Sequence, residues 1–396
     1  MAAGDVYQLH LESIAPGGDA FGRYNGKTVF VEGGAPDETA VCRIVQEHKT
    51  WARAELLEIT EISPVRIPGN CAFYGRCGGC NLQHIDYDAQ LAAKEKILKD
   101  SFLRIGGLEP PGEIKIFPSP PWEYRNRMQF HVKSSRQKFG LKGKRSDEII
   151  TVTDCPVAVP GIKNILQGSA ANGAKIEISV PPEKDRFTVF SKDDVFLNEG
   201  DQRRGKINLL GKEIIIDAGV FFQSNCFMLE KLILELQETA ENAAKSFAQG
   251  AGKNLQAYDL YCGVGTFAVF LKDLFPKIIC AEENKTAVSI ARENLKGADA
   301  EFIALRDTEW QRIIFRQKNE TGFAVADPPR AGLNPKTAAA LSQNGPDVLA
   351  YVSCDPASLA RDSKILTNGG YNLEKLMLFD FYPQTSHMES LAVLIR

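Results

Sequence analysis

The sequence predicts a doubly wound α/β domain in the second half of the chain, preceded by two β-rich segments. From about residue 219 onward, short apolar strands alternate with helical segments, which is typical of a mostly parallel sheet covered by helices. Before that point strands and turns predominate. The 396 residues are 44% hydrophobic and 24% charged, too apolar for a disordered chain and too many for one core. We therefore expect three domains, 1–62, 63–217 and 218–396.

The first segment is expected to form a small β-barrel of the OB type. Its strands are separated by Gly, Pro and Asp turns, and it contains no helical periodicity of useful length. The predicted strands are residues 6–14, 27–31, 38–47 and 51–62. Barrels of this kind commonly bind nucleic acid, although an accessory barrel can equally be structural.

The second segment combines a cysteine cluster, one helix and a basic run. The helix is predicted over 86–103, where Leu91, Ile97, Leu98 and Phe102 can share one face. Residues 114–217 are expected to alternate between strands and turns. The net charge of −3 gives no global sign of a nucleic-acid partner, so any such surface must be local.

One basic run could supply that local surface. Residues 124–145 contain eight Lys or Arg and no Asp or Glu. The eight are Arg125, Arg127, Lys133, Arg136, Lys138, Lys142, Lys144 and Arg145. On its own, the run fits a solvated hairpin as well as an RNA-binding surface.

The third segment gives the α/β pattern. Predicted helices are 226–247, 267–275, 285–296 and 336–343. Predicted strands are 256–261, 278–282, 301–305, 322–326, 348–353 and 391–395. Because ligands of such sheets bind at the carboxyl ends of the strands, the residues that follow each strand are candidates for the functional site.

A glycine turn follows the first of these strands. Gly263 and Gly265 allow the backbone to approach a ligand closely, and Glu282, at the end of the next strand, is placed to accept hydrogen bonds from ribose hydroxyls. The loop has neither the G-x-G-x-x-G pattern nor a Walker lysine, so S-adenosylmethionine fits better than a dinucleotide or triphosphate. Asp307 and Asp327 follow later strands. Each could be a helix N-cap, but together at one rim they favour a ligand.

Two further residues have the properties of catalytic groups. Cys354 ends a strand, where a thiol can reach a substrate. Uracil carbon 5 becomes nucleophilic enough to accept a methyl group after a thiolate adds to carbon 6, and a base must later remove the carbon 5 proton. Glu389, just before the last strand, is the candidate base. The alternatives are a buried structural cysteine and an exposed surface glutamate.

Cysteine usage and the N-terminus bear on the compartment. Nine cysteines, an odd number, with three inside ten residues, favour metal binding and catalysis over disulfides. The N-terminus lacks a signal-peptide pattern and no long apolar stretch is present, so the expected location is the cytoplasm, with no membrane association.

With these motifs assembled, the chain resembles the iron–sulfur-containing RNA uridine-5 methyltransferase family, in particular the bacterial enzymes that act on 23S ribosomal RNA. The resemblance runs over essentially the whole length. It rests on residues 17–23 (GGDAFGR), 29–31 (VFV), 71–84 (CAFYGRCGGCNLQH), 124–127 (YRNR) and 353–356 (SCDP). It implies a TRAM-type barrel, a central iron–sulfur domain that binds RNA, and a class I (Rossmann-like) methyltransferase domain.

The resemblance also assigns roles to individual residues. It makes Cys354 the nucleophile and Glu389 the base. The implied ligands of a structural [4Fe-4S] cluster are Cys71, Cys77, Cys80 and Cys155. The implied S-adenosylmethionine-binding residues are Gln223, Tyr261, Thr266, Glu282, Asp307 and Asp327. Thr266 and Asp307 stand where asparagine is expected, although both can still form hydrogen bonds.

Several alternatives stay open from the sequence alone. Zinc remains compatible with the cysteine spacing. An iron–sulfur redox or radical enzyme and a non-catalytic RNA-binding protein are the competing classes. The expected substrate is 23S rRNA, and transfer RNA is the alternative. No apolar helix or heptad is left over, so a monomer is expected. Phosphate contacts from the basic run would position RNA, and the target uridine would be flipped out of its stack.

Overall fold

The computed structural model describes residues 2–132, 139–168, 185–200, 202–248, 255–310, 314 and 322–396. Within these ranges, no helix has both the length and the apolar character needed to span a membrane.

The N-terminal segment is a closed five-stranded barrel, as predicted. Its strands are β1 (Val6–Ile14), β2 (Ala20–Tyr24), β3 (Lys27–Val31), β4 (Thr39–Glu47) and β5 (Trp51–Glu61). They close in the order β1-β2-β3-β5-β4, with β3 and β5 parallel and the other pairs antiparallel. Alternate side chains point inward, so that Leu9, Leu11, Val29 and Val31 are buried.

Strand β2 was not among the predicted strands. It is five residues long with a glycine at its centre, which weakens the sequence signal for a strand. The glycine is required by packing, since a Cβ at Gly22 would lie 2.1 Å from the backbone oxygen of His10 on β1. The close approach coincides with an irregular register between Leu11 and Ser13.

Helix α1 (Tyr87–Ser101) follows the cysteine segment and ends in a π-helical turn, Phe102–Gly106. Asp86 caps its N-terminus through the backbone N–H of Ala89 at 3.0 Å. Of the expected apolar face, Ile97, Leu98 and Phe102 are buried, and Leu91 is only half-buried.

The central region is built around a second sheet. Its elements are β6 (Lys115–Phe117), β7 (Arg127–Val132), β8 (Phe139–Lys142), β9 (Ile149–Ile150), α2 (Pro160–Gln167), β10 (Arg186–Lys192), β11 (Val195–Asn198), β12 (Arg204–Leu209) and β13 (Lys212–Asp217). Five of the strands form a sheet in the order β11-β10-β7-β8-β9, and β12 and β13 form a hairpin. The prediction of strands and turns alone was wrong at α2, an amphipathic helix that starts at a proline and buries Ile162 and Ile165.

The C-terminal region is a doubly wound sheet, as predicted. Its elements are α3 (Cys226–Ala248), β14 (Gln256–Leu260), α4 (Thr266–Leu271), β15 (Lys277–Ala281), α5 (Lys285–Asn294), β16 (Ala300–Ile303), α6 (Asp307–Trp310), β17 (Gly322–Ala326), α7 (Pro335–Asn344), β18 (Val348–Ser353), α8 (Pro356–Asn368), β19 (Asn372–Phe379) and β20 (Glu389–Ile395). The strand order is β16-β15-β14-β17-β18-β20-β19-β6.

The order of the parallel strands reverses between β14 and β17, and this switch point positions the site. Strands β14 to β18 are parallel, whereas β20 runs antiparallel to both β18 and β19. The eighth strand, β6, comes from the central stretch of the chain and pairs with β19. Ligands of open α/β sheets bind in the crevice at such a switch point, beyond the carboxyl ends of the strands.

Candidate active site

The parallel register brings the expected residues to one edge of the sheet. Leu260, at the end of β14, lies opposite Ala281 of β15 and Ala326 of β17. The residues that follow these three strands, Tyr261, Glu282 and Asp327, therefore lie side by side at the rim. Cys354, after β18, and Asp307, at the start of α6, extend the same row.

The glycine turn has the left-handed backbone that such a loop needs. Gly263 and Gly265 have φ values of 53° and 79°. Tyr261 also has a positive φ, 62°, which is costly for a residue with a bulky side chain and is typical of functional sites. Its hydroxyl donates a hydrogen bond of 3.0 Å to Oδ2 of Asp307, and its ring centroid lies 4.6 Å from that of Trp310.

Glu282 is fixed by backbone donors on both of its oxygens. The N–H of Gly263 donates to Oε2 at 3.2 Å, and the N–H of Asn284 donates to Oε1 at 2.7 Å. The carboxylate thus connects the glycine turn to the start of α5. Thr266 begins α4 at the other end of the turn and is buried.

Gln223 and Asp327 form a polar pair at the switch point. Burial raises the pKa of Asp327 to about 7, and the hydrogen bond from the Gln223 side chain opposes that shift. Gln223 is itself buried, and its Oε1 has no hydrogen-bond partner within the described part of the chain. An unpaired buried amide oxygen is unusual and marks a position where a ligand can donate a hydrogen bond.

Cys354 and Glu389 meet at the ends of two antiparallel strands. The last pair between β18 and β20 is Ser353 with Ser390, so one further step places Cys354 beside Glu389. Glu389 is 3% exposed, whereas Cys354 is partly exposed. Oε2 of Glu389 has no hydrogen-bond partner among the described residues. The structure therefore brings the candidate nucleophile and the candidate base together, and the glutamate is buried, unlike an ordinary surface residue.

Burial raises the pKa of all three acids of the site, Cys354, Glu389 and Asp327. Burial raises the pKa of the Cys354 thiol to about 12; the carboxyl groups of Glu389 and Asp327 add to the shift, and Arg330 opposes it. Burial, followed by the charge of Asp327, raises the pKa of Glu389 well above its usual range. The N-terminus of α8, two residues beyond Cys354, favours the thiolate. With the pKa raised by burial, the protonated thiol is favoured in the protein alone.

The structure adds two residues that the sequence analysis missed. Tyr382 lies near both Cys354 and Glu389, and burial raises the pKa of its phenol. Phe221 is 62% exposed two residues before Gln223, with the Arg127 guanidinium 5.7 Å from its ring centroid. Tyr382 lies in no recognisable local motif, so only the tertiary structure identifies it, whereas Phe221 begins the segment 221–225 (FFQSN) that contains Gln223.

The four cysteines expected to bind a cluster line one pocket. Cys71, Cys77, Cys80 and Cys155 surround it together with apolar side chains and Arg125. Backbone N–H groups point at two of the sulfurs, from Phe73 to Cys71 and from Gly79 to Cys77, each at 3.4 Å. Even so, no three His, Cys, Asp or Glu side chains in the described ranges are arranged to hold a metal ion. Neither the expected [4Fe-4S] cluster nor the zinc alternative is therefore shown by the described residues.

Three of the five described residues of the basic run pair with carboxylates. Lys133, Arg136 and Lys138 lie outside the described residues. Lys142 pairs with Asp147, and Lys144 pairs with Glu32 of the barrel. Arg145 pairs with Asp19 and Glu32, at 3.0 and 2.6 Å. Of the five described residues of the run, Lys144 and Arg145 thus join the barrel to the central sheet.

Comparison with known proteins matches this architecture. The family model described as tRNA (Uracil-5-)-methyltransferase matches residues 205–396, and the TRAM domain model matches residues 3–57. An RNA methyltransferase of Treponema denticola is 33% identical, over 93% of this chain and 94% of the relative. The 23S rRNA (uracil(1939)-C(5))-methyltransferase RlmD of Shewanella piezotolerans is 27% identical, over 97% and 94%.

A solved structure has the same overall fold. The Pyrococcus abyssi tRNA (uracil-54, C5)-methyltransferase, in complex with S-adenosyl-L-homocysteine, superposes with a TM-score of 0.72 at 23% identity, covering 98% of this chain and 100% of that one. Fold and rim together define a doubly wound methyltransferase with an appended barrel. The chain belongs to the RNA (uracil-5-)-methyltransferase family and carries a TRAM domain. The predicted enzyme class, RNA as substrate and S-adenosylmethionine as methyl donor are thereby confirmed.

Proposed function

We propose that the enzyme methylates carbon 5 of a uridine in 23S rRNA through a covalent adduct between Cys354 and carbon 6. The thiolate adds to carbon 6, and carbon 5 then attacks the methyl group of S-adenosylmethionine, releasing S-adenosylhomocysteine. The Glu389 carboxylate takes the carbon 5 proton, and that electron pair restores the double bond as the thiolate leaves. The observation that carries the proposal is the placement of Cys354 and Glu389 at adjoining strand ends.

The protonation states fit this sequence of steps. A thiol with a raised pKa needs an acceptor for its proton, and a carboxyl with a raised pKa is a stronger base than an ordinary one. The sulfonium of S-adenosylmethionine adds a positive charge at the rim. That charge would lower the pKa of each neighbouring acid and favour the thiolate. We therefore expect the nucleophile to be activated after the cofactor binds.

The cofactor would lie along the row of strand ends. We assign binding roles to Gln223, Tyr261, Thr266, Glu282, Asp307 and Asp327. Glu282 is placed for the ribose hydroxyls, because its backbone partners hold it beside the glycine turn. The unpaired Oε1 of Gln223 can accept a hydrogen bond from bound cofactor or substrate. Thr266 and Asp307 take the positions where the resemblance leads us to expect asparagine.

Of the two candidate substrates, we favour ribosomal RNA. The Shewanella relative named for a 23S rRNA uridine aligns over nearly the full length of both chains. Transfer RNA is the second candidate, since the neighbouring solved structure is a transfer RNA enzyme of similar fold. Mass spectrometry of RNA from cells lacking this gene tests the choice. Loss of 5-methyluridine at a 23S site supports the proposal, whereas loss only in transfer RNA would replace the substrate and keep the chemistry.

We also propose that Cys71, Cys77, Cys80 and Cys155 hold a [4Fe-4S] cluster. The four thiols share one pocket, and N–H groups directed at sulfur are suited to stabilising thiolates. When bound, the cluster would cross-link two segments of the chain, 71–80 and the one that contains Cys155.

Anaerobic reconstitution with iron and sulfide tests the cluster. We expect about four irons and four sulfides per chain, with visible absorption that is lost in Cys155→Ala. Tight binding of one zinc ion, with no sulfide incorporated, would instead support the zinc alternative. We further propose the domain division 1–62, 63–217 and 218–396. We also propose that the protein is a monomer, a state that sedimentation measures directly.

A further inference from the structure

The loop that joins β19 to β20 leads directly to Glu389. Phe379, the last residue of β19, pairs with Glu389, the first residue of β20. The intervening residues 380–388 therefore form a hairpin loop whose base is the candidate catalytic glutamate. Apart from His387 and the half-buried Tyr382, the residues of this loop are buried. Its conformation accordingly determines how Glu389 and Tyr382 face Cys354.

Helix α1 holds the start of this loop with a buried charge. Nζ of Lys94 lies 2.6 Å from Oδ1 of Asp380 and donates a second hydrogen bond of 3.1 Å to the backbone oxygen of Tyr382. The two charged side chains are 1% and 0% exposed. The ammonium thus fixes two points on the loop, one of them at the residue that lies beside the active-site carboxylate.

One turn earlier on the same helix, Gln90 holds the middle of the loop. Its Oε1 accepts a hydrogen bond from the N–H of Gln384 at 2.9 Å, and its Nε2 donates to Oε1 of Gln384 at 3.1 Å. The same amide also donates to the backbone oxygens of Leu82 and Ile85. Gln90 and Lys94 are both 0% exposed, which is exceptional for these residue types.

Stability alone does not explain this arrangement. Burying an ion pair costs desolvation that its attraction only roughly offsets, and apolar residues of similar volume commonly serve the core as well or better. The Lys94–Asp380 ion pair and the Gln90 amide instead give the loop one specific conformation. Each of their hydrogen bonds has a preferred direction, whereas apolar contacts have none. Their hydrogen bonds reach the loop before Glu389 and the segment that leads into α1.

We propose that Gln90 and Lys94 are positioning residues that align Glu389 for removal of the carbon 5 proton. The inference rests on the proposed function, in which Glu389 acts after methyl transfer. A less firmly held loop should slow removal of the carbon 5 proton. It should leave cofactor binding at the ends of β14, β15 and β17 unchanged. The methylated covalent adduct between enzyme and RNA would then persist.

The test uses two variants that retain side-chain volume. Lys94→Met combined with Asp380→Asn removes both buried charges together, and Gln90→Met removes the amide without involving a charge. Lys96→Met is the matched control, because Lys96 lies on the same helix in an exposed pair with Asp100. Turnover, the affinity for S-adenosylmethionine, and the fraction of enzyme trapped on RNA in denaturing gels are measured for each.

We expect both variants to lose about tenfold in turnover and to accumulate about tenfold more methylated adduct, with cofactor affinity within about twofold of wild type. Lys96→Met should behave as wild type. Glu389→Gln serves as the reference for a blocked second step. If Glu389→Gln traps adduct and the two variants do not, the positioning role is wrong. If Glu389→Gln itself traps nothing, the proposed mechanism fails instead.

Discussion

Asp327→Asn should stabilise the ligand-free protein while abolishing its activity. Burial raises the pKa of this carboxyl from 3.8 to about 7, so ionising it opposes folding. Each pKa unit corresponds to ~1.4 kcal/mol, which sets an upper limit of ~4 kcal/mol for the cost above pH 7. Because Asp327 keeps some solvent exposure, we expect about half of that limit, ~2 kcal/mol, to be recovered by the neutral amide.

The sign of the pH dependence distinguishes this cause from improved packing. A carboxyl with a raised folded-state pKa favours the folded protein at low pH, and that advantage is lost as the pH rises through the folded-state value. The gain from Asp327→Asn should therefore be largest near pH 8 and should shrink at about pH 5. Asp273→Asn, at an exposed carboxylate paired with Lys212, is the control and should show no such trend.

Urea unfolding of the ligand-free variants at both pH values measures the effect, and S-adenosylmethionine titration measures the functional loss. An asparagine variant that is no more stable than wild type at about pH 8 would refute the reasoning, as would a gain of equal size at both pH values. Either result would mean that the rim carboxyl is well solvated in the free enzyme.

Three further predictions concern the base, the cofactor rim and the barrel. Since burial raises the pKa of Glu389, its ionised fraction grows with pH; turnover should rise and the trapped methylated adduct should fall as the pH is raised, whereas the adduct trapped by Glu389→Gln should not fall in this way. Tyr261→Phe loses the hydroxyl that donates to Asp307 and should weaken S-adenosylmethionine binding about three- to tenfold in calorimetry, with little change in melting temperature. Gly22→Ala places a Cβ against β1 and should cost ~1–3 kcal/mol in chemical unfolding; a neutral effect would contradict the close approach.

The sequence predicted the elements with strong periodicity and missed those that depend on tertiary contacts. The parallel strands are continuous apolar runs, so their positions and the rim residues that follow them could be identified from the pattern alone. Strand β2 and helix α2 are short, and each contains a residue, glycine or proline, that weakens its signal.

The buried polar side chains of α1 show most clearly what a sequence pattern cannot predict. A lysine and a glutamine within a helix predict a solvent-facing side, so the apolar face was expected to start at Leu91. The structure buries Gln90 and Lys94 instead, because their partners lie about 290 residues away in the loop before Glu389. No local window of sequence contains that information. For the same reason, the sequence could identify Cys354 and Glu389 as candidates but could not establish that they adjoin.

A covalent-trapping experiment tests the central claim most directly. The purified enzyme is incubated with S-adenosylmethionine and a 23S rRNA fragment in which uridine is replaced by 5-fluorouridine, and the protein–RNA product is digested for mass spectrometry. Fluorine cannot leave as a proton does, so we expect a stable adduct on the peptide containing Cys354, carrying one added methyl group, and none in Cys354→Ala. A Cys354→Ala variant that still methylates RNA, or an adduct on another residue, would contradict the account.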